Sequence, residues 1–264
     1  MMRNAKMAVR WLLEQTTFGY LALLRRDKRV SGPSGVPEAP WHNAVLKTQD
    51  ELGLVLGQVA KLGLPAFANL PKNWDTLAAL DCILRATTRN AFILDAGAET
   101  YSRILPWLCM YGYRRLHGIN LVFDRTIRRG PITYRFGDIT RTDYADGSFD
   151  AITCLSVLEH GVNPETYMRE MWRILKPGGL LITSIDYWQT PIDTGSRQFF
   201  GVPVKVFTEE DVLKLFTLAQ QNGFVMTGPI DLSCNEKVVH WSEVDLDFTF
   251  LVFTLRKPVP TSSN

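Results

Sequence analysis

Between Phe149 and Thr183 the chain changes its pattern three times without a gap. An apolar run from Ala151 to Val157 is followed by a polar loop. Tyr167, Met171, Ile174 and Leu175 then recur at helical spacing with charges between them, and a second apolar run covers Leu180 to Ile185. Short, mostly apolar runs of this kind suit strands buried on both faces of a parallel sheet. Asn163, Pro164 and Glu165 predict a helix start: a side-chain cap, a proline with no donor to waste, and an acid at the positive helix end. Lys176-Pro177-Gly178-Gly179 predicts its stop. Strand, crossover helix and strand in so few residues make a right-handed parallel unit.

The same pattern extends in both directions. Phe92 to Asp95 reads as an apolar strand ending in an acid, Gly97 as a turn, and Ser102 to Tyr111 as a helix ended by Gly112. Leu116 to Ile119 forms a strand finishing at Asn120, and Ile132 to Phe136 one ending at Gly137-Asp138. Polar groups thus recur at the carboxyl ends of successive strands, where open α/β sheets bind ligands. Downstream, Thr208 to Asp211 is a capping box opening a helix to about Gln221, followed by strands over Phe224 to Ile230 and Asp247 to Leu255. The expected fold is α/β: a doubly wound, mostly parallel seven-stranded sheet over residues 89–257, a helical extension over 1–88, and a flexible tail over 258–264.

Within the extension, Val9 to Leu24 is rich in leucine and aromatics and is followed by Arg25, Arg26, Lys28 and Arg29. Arg10 and Glu14 interrupt it and no small-residue cleavage site follows, which argues against a membrane span or secretory signal. An amphipathic helix packed on the domain is one reading; the other is contact of residues 7–29 with an anionic membrane surface or a partner. A loop over Val30 to Pro40, a helical stretch over Ala44 to Leu62, a turn-rich segment over Leu64 to Asn73 and a helix over Trp74 to Thr87 follow.

With 46% hydrophobic residues the chain can bury a full core, and a net charge of +2 gives no case for a nucleic-acid partner. Cys82, Cys109, Cys154 and Cys234 are far apart and show no metal-type pairing, as reduced core thiols of a cytoplasmic protein would. No metal cluster is evident.

The order and content of these segments resemble a class I S-adenosylmethionine-dependent methyltransferase, in particular its small-molecule branch, with SVLEH after one strand and LKPGG before the next. The resemblance covers roughly Ala91 to Ile185. It implies S-adenosyl-L-methionine as cofactor, with Asp95 and Gly97 at its methionine part, Asn120 and Leu121 at the ribose, Asp138 and Ile139 at the adenine, and Leu155 to Val157, including Ser156, along one side. Two positions depart from the family's pattern. In DAGAETYS, Glu99 stands where a second glycine is usual, and it either pairs with the cofactor's ammonium or points to solvent. Asn120 replaces the usual acid and offers one carbonyl acceptor in place of two carboxylate oxygens. DAGAETYS also lacks the G-x-G-x-x-G spacing of a nicotinamide enzyme.

Transfer of an activated methyl needs positioning, and a base only when the acceptor is protonated at neutral pH. His160, beside Glu159 in the loop after the Ala151 to Val157 strand, is the candidate base; its alternative role is to orient that loop. Asp186-Tyr187-Trp188, just beyond the Leu180 to Ile185 strand, and the pair Trp74-Asp75 are candidates for acceptor binding or for packing at a domain edge, and the long polar stretch Thr190 to Val204, with its scattered aromatics, is expected to share in acceptor recognition. The expected function is methyl transfer to a small polar acceptor, with a sugar or polysaccharide precursor as first choice. The alternatives are a non-catalytic binding protein of the same fold, or an enzyme acting on a lipid or quinone headgroup.

Overall fold

The computed structural model describes residues 2–260. Most of the tail expected over 258–264 therefore lies outside the described residues. The chain opens with helices α1 (Met2–Glu14) and α2 (Thr17–Lys28), where one helical stretch was expected. The break falls at Thr16, whose side chain caps α2 by accepting from the Gly19 amide. A two-residue strand β1 (Ala44–Val45) then precedes α3 (Gln49–Lys61), so the stretch expected to be helical from Ala44 begins as strand. Helix α4 (Lys72–Ala86) leads into β2 (Phe92–Ala96), α5 (Ile104–Met110), β3 (Arg115–Asn120), β4 (Ile127–Arg129) and β5 (Ile132–Phe136). Next come β6 (Phe149–Leu155), α6 (Pro164–Ile174), β7 (Leu175–Tyr187), β8 (Gln198–Phe199) and β9 (Val202–Pro203). Helix α7 (Glu209–Gln221), β10 (Val225–Met226), β11 (Val239–Trp241) and β12 (Leu246–Arg256) complete the chain.

Strands β2, β3, β5, β6 and β7 are parallel, and β12 lies antiparallel against β7. The sheet runs β1-β12-β7-β6-β2-β3-β5-β4, with short β10 and β11 also on β12. It has ten strands in all, because three short edge pieces join the seven that the pattern predicted. Two local expectations change. The Lys176-Pro177-Gly178-Gly179 turn is drawn into an unbroken β7, bulged opposite Phe149 and Ala151, and the strand expected over Phe224 to Ile230 shrinks to two residues.

Two hydrophobic layers cover the sheet. One includes Leu52, Trp74, Leu77 and Trp107 from α3, α4 and α5; the other includes Tyr167, Met171, Val212 and Leu215 from α6 and α7. Alternation along each central strand sorts side chains between them. In β7, Leu180 and Ile182 face the α4 layer, whereas Leu181, Ile185 and Tyr187 face the α6 layer. The N-terminal segment is stitched to the sheet by β1 on β12 and by Thr249, whose hydroxyl donates to Leu46 O at 2.5 Å, while the fully buried Trp74 joins α4 to α3 by donating its indole N–H to Glu51 Oε1 at 2.8 Å. Met7, Trp11, Leu12 and Phe18 of α1 and α2 are exposed, yet among the described residues no helix is long and apolar enough to cross a membrane.

Trp74 is thus a fixed point between α3 and α4. Trp74→Ala is expected to cost about 3–5 kcal/mol of unfolding free energy, read from chemical denaturation, because it opens a cavity and leaves Glu51 Oε1 without its donor.

Candidate functional site

The carboxyl ends of β2, β3, β5, β6 and β7 open onto a cavity of about 1150 Å³. The end of β2 supplies Asp95 and the Gly97 turn; Gly97 has φ +89°, and a Cβ there would meet Val157 Cγ2 at 2.4 Å. Only glycine lets the turn lie that close to the loop after β6. Asp95 is 4% exposed, accepts from Thr153 Oγ1 at 2.8 Å, and is pushed up from 3.8 to about 7, chiefly by burial.

Asn120, at the end of β3, lines the same cavity. Its amide donates to the carbonyls of Gly97 and Ala98, both at 3.1 Å, and its carbonyl accepts from Val122 N at 3.3 Å. It ties the Gly97 turn to β3, a task that an acid, having no N–H, cannot perform. Leu121 and Val122 are exposed at the rim. After β5, Asp138 Oδ1 accepts from the amide and the hydroxyl of Thr140 at 2.8 and 2.7 Å, while Oδ2 takes no protein donor among the described residues. Ile139 lies beside it, and Glu99 lines the cavity half-buried, its carboxyl pushed up by that burial.

The loop after β6 bears Ser156, with φ +52°, then Glu159 and His160. Glu159 is 2% exposed, and among the described residues neither of its carboxylate oxygens meets a hydrogen-bond donor. Across from it stands Asp186, also buried, whose pKa is pushed well up by burial and by the Glu159 charge. The cation at this point is Lys72, in the first turn of α4. Its ammonium donates to Asp75 Oδ2 at 3.1 Å and to Ser156 Oγ, and sits 4.5 Å from the Phe250 ring centre. Asp75 also accepts from Ser184 Oγ at 2.6 Å. His160 is held neutral at ordinary pH because burial lowers its pKa. Its ring lies 5.8 Å from Phe199, 5.5 Å from Phe200 and 6.3 Å from Trp241.

Trp74, Tyr187 and Trp188, the aromatic candidates for the acceptor site, do not line the cavity. Tyr187 is one residue out of phase with Asp186 on the strand, so it enters the opposite layer and donates its hydroxyl to Leu232 O at 2.9 Å. Trp188 is half-buried under Lys237, whose ammonium lies 5.2 Å from its ring. Trp74 points away from Lys72, Asp75 and Thr76, which share a helix face at spacings of three and four. That spacing in LPKNWDT was the available signal for Lys72. Phe199 and Phe200 come from the aromatic-bearing stretch Thr190 to Val204, whereas Trp241, Phe248 and Phe250 gave no local signal, because distant strands β11 and β12 bring them to it.

Residues 94–183 match the family model described as a methyltransferase domain. Over 142 residues the chain is 31% identical to an uncharacterized methyltransferase of Mycolicibacterium gilvum, covering 48% of this chain and 54% of that protein. A demethylmenaquinone methyltransferase of Deinococcus radiodurans is 41% identical over 51 residues, 19% of this chain and 21% of that protein. The chain therefore spans from about a fifth to about half the length of these curated relatives. Among solved structures, the [4+2]-cyclase SpnF superposes with a TM-score of 0.52 at 17% identity, covering 86% of this chain and 100% of that one. A SAM-dependent methyltransferase of Methanosarcina mazei gives a TM-score of 0.50 at 17% identity, covering 68% and 98%. The fold is the Rossmann-like methyltransferase fold. The matched segment, about a third of the chain, is similar to a methyltransferase domain, a class whose cofactor is S-adenosylmethionine.

Asp95 gives the site a testable electrostatic signature. Its raised pKa means that the stability it contributes is full below about pH 4 and is lost as pH rises toward 7. Asp95→Asn keeps an oxygen for Thr153 and removes the buried charge. Its melting temperature is expected to exceed wild type by several degrees at pH 8, and the gap to close at pH 4.

Proposed function

We propose that the protein transfers a methyl group from S-adenosylmethionine to a small polar acceptor held between the loop after β6 and the aromatic wall. The observation that carries this reading is a single cavity joining the Gly97 turn, Asp138 and Ile139 to Glu159, His160 and Asp186. The residues present fit the cofactor. Gly97 leaves its backbone open to close approach, Asp138 Oδ2 is free to accept from an exocyclic amine, and the exposed Leu121 and Val122 backbone borders the ribose position in place of the absent acid. Asn120 contributes by fixing the turn. When bound, the cofactor supplies a methyl group activated by sulfonium.

The chain's own residues supply position and a proton acceptor. His160 is neutral because it is buried, so its imidazole can take a proton from the acceptor's attacking atom. Glu159 and Asp186 fix the acceptor's polar groups, and the rings of Phe199, Phe200 and Trp241 exclude water around it. The proposed acceptor class is a sugar or polysaccharide precursor. The quinone named for the Deinococcus relative is a weaker guide, because that likeness extends over only 51 residues, 19% of this chain.

Two variants separate the halves of the cavity. Asp138→Ala is expected to weaken S-adenosylmethionine binding about tenfold in calorimetry, the loss of one charge-assisted hydrogen bond. His160→Ala is expected to leave that affinity within about threefold while lowering methyl transfer by about 100-fold, as removal of a general base does. Equal loss of affinity and turnover in His160→Ala would place the imidazole against the cofactor instead.

A further inference from the structure

We infer that the acceptor carries a protonated amino group, bound between the carboxyls of Glu159 and Asp186 under the aromatic wall. This acceptor class rests on the methyl transfer proposed above. It starts from an unmet requirement of the folded chain: Glu159 is almost wholly buried, no N–H or hydroxyl among the described residues donates to either of its oxygens, and the group that faces it is another carboxyl, Asp186. A buried carboxyl pair without an N–H donor costs free energy that a ligand's N–H groups can recover.

The protein does not supply those N–H groups from nearby. Lys72 carries three, directed to Asp75, to Ser156 and to the face of Phe250. Arg103, the other lysine or arginine of the lining, stands at the rim, donating to Ala66 O and lying over Phe67. The titratable groups around the pair are Lys72 and Asp75 from α4, Asp95 from β2, Cys154 from β6 and His160 beside Glu159. Acids outnumber cations here, and Asp186 relieves the excess by holding its proton. A hydroxyl could satisfy one oxygen of Glu159 and leave its charge uncompensated. An ammonium group satisfies both and cancels the charge.

The aromatic wall, packed against His160 next to Glu159, agrees with a cation. Trp241 lies 4.7 Å from Phe199 and 6.3 Å from Phe248, which in turn lies 6.1 Å from Phe250, all lining the same cavity. Aromatic faces attract an ammonium and pack against the carbon frame that bears it. For transfer, an N–H bond of the ammonium breaks, its proton passes to the neutral imidazole of His160, and the bonding pair stays on nitrogen. The nitrogen lone pair then forms the N–C bond, and the pair of the breaking C–S bond stays on sulfur. The product is a methylated ammonium and a neutral thioether.

The test uses protein saturated with S-adenosylhomocysteine and two probes of matched shape, cyclohexylammonium and cyclohexanol, titrated calorimetrically at pH 7. Wild type is expected to bind the ammonium about tenfold more tightly or better, in line with a desolvated charge pair. Glu159→Gln should abolish that preference while leaving cyclohexanol within about twofold and S-adenosylhomocysteine within about threefold, since the charge alone has gone. Asp186→Asn, which keeps a neutral donor facing Glu159, should preserve the preference and provides a second, independently folded variant. Equal binding of both probes, binding of neither, or a preference that survives Glu159→Gln would overturn the amine assignment. Failure of S-adenosylhomocysteine to bind wild type would instead overturn the methyl-transfer reading itself.

Discussion

Lys72 reaches from the first turn of α4 to the carboxyl ends of β6 and β7, where its ammonium is shared among Asp75, Ser156 and the ring of Phe250. That one group holds three elements together. Through Asp75 and Ser184 it fixes α4 on β7, and through Ser156 it holds the loop after β6 in a left-handed backbone conformation that serine seldom adopts. Because Lys72 is fully engaged, Glu159 and Asp186 are left to face the cavity and each other. The energetic strain at the site is therefore electrostatic, and it is tolerated because the two hydrophobic layers on either side of the sheet hold the strand ends in place.

The sheet was legible in the chain because its signals are local. Apolar runs between turn residues, the Asn163 cap and the Thr208-Asp211 capping box each depend on neighbours within a few positions, and the structure forms both caps. Register-dependent choices were harder. Asp186 and Tyr187 are adjacent in sequence, yet strand alternation sends them to opposite faces, so a motif of three residues yields one cavity-lining side chain. Helix phase likewise turns Trp74 away from the cavity that Lys72 and Thr76 line. Part of the aromatic wall was illegible for a different reason: Trp241, Phe248 and Phe250 meet only after β11 and β12 have paired.

Asn120 shows how a departure from a family pattern can carry structural meaning. An acid at that place offers two acceptors, whereas asparagine offers donors, and both donors are spent on the Gly97 and Ala98 carbonyls. The turn next to the cofactor is thus braced from β3. The same turn lacks a second glycine because Glu99 takes that place, with its amide receiving support from Ser102 Oγ at 3.1 Å. The fold alone leaves the reaction open, since a cyclase superposes as well as a methyltransferase does. The chemistry is argued from the groups around the cavity.

The cavity, with its braced turn and the Asp138 oxygen that takes no protein donor among the described residues, is proposed to bind an adenosyl cofactor. Calorimetric titration of the wild-type protein with S-adenosylmethionine at pH 7.5, with NAD as the comparison nucleotide, tests it most directly. Saturable binding at one site, about micromolar in dissociation constant and at least about 100-fold tighter than NAD, is the predicted result. Absence of binding at about millimolar cofactor, or equal affinity for NAD, would contradict it.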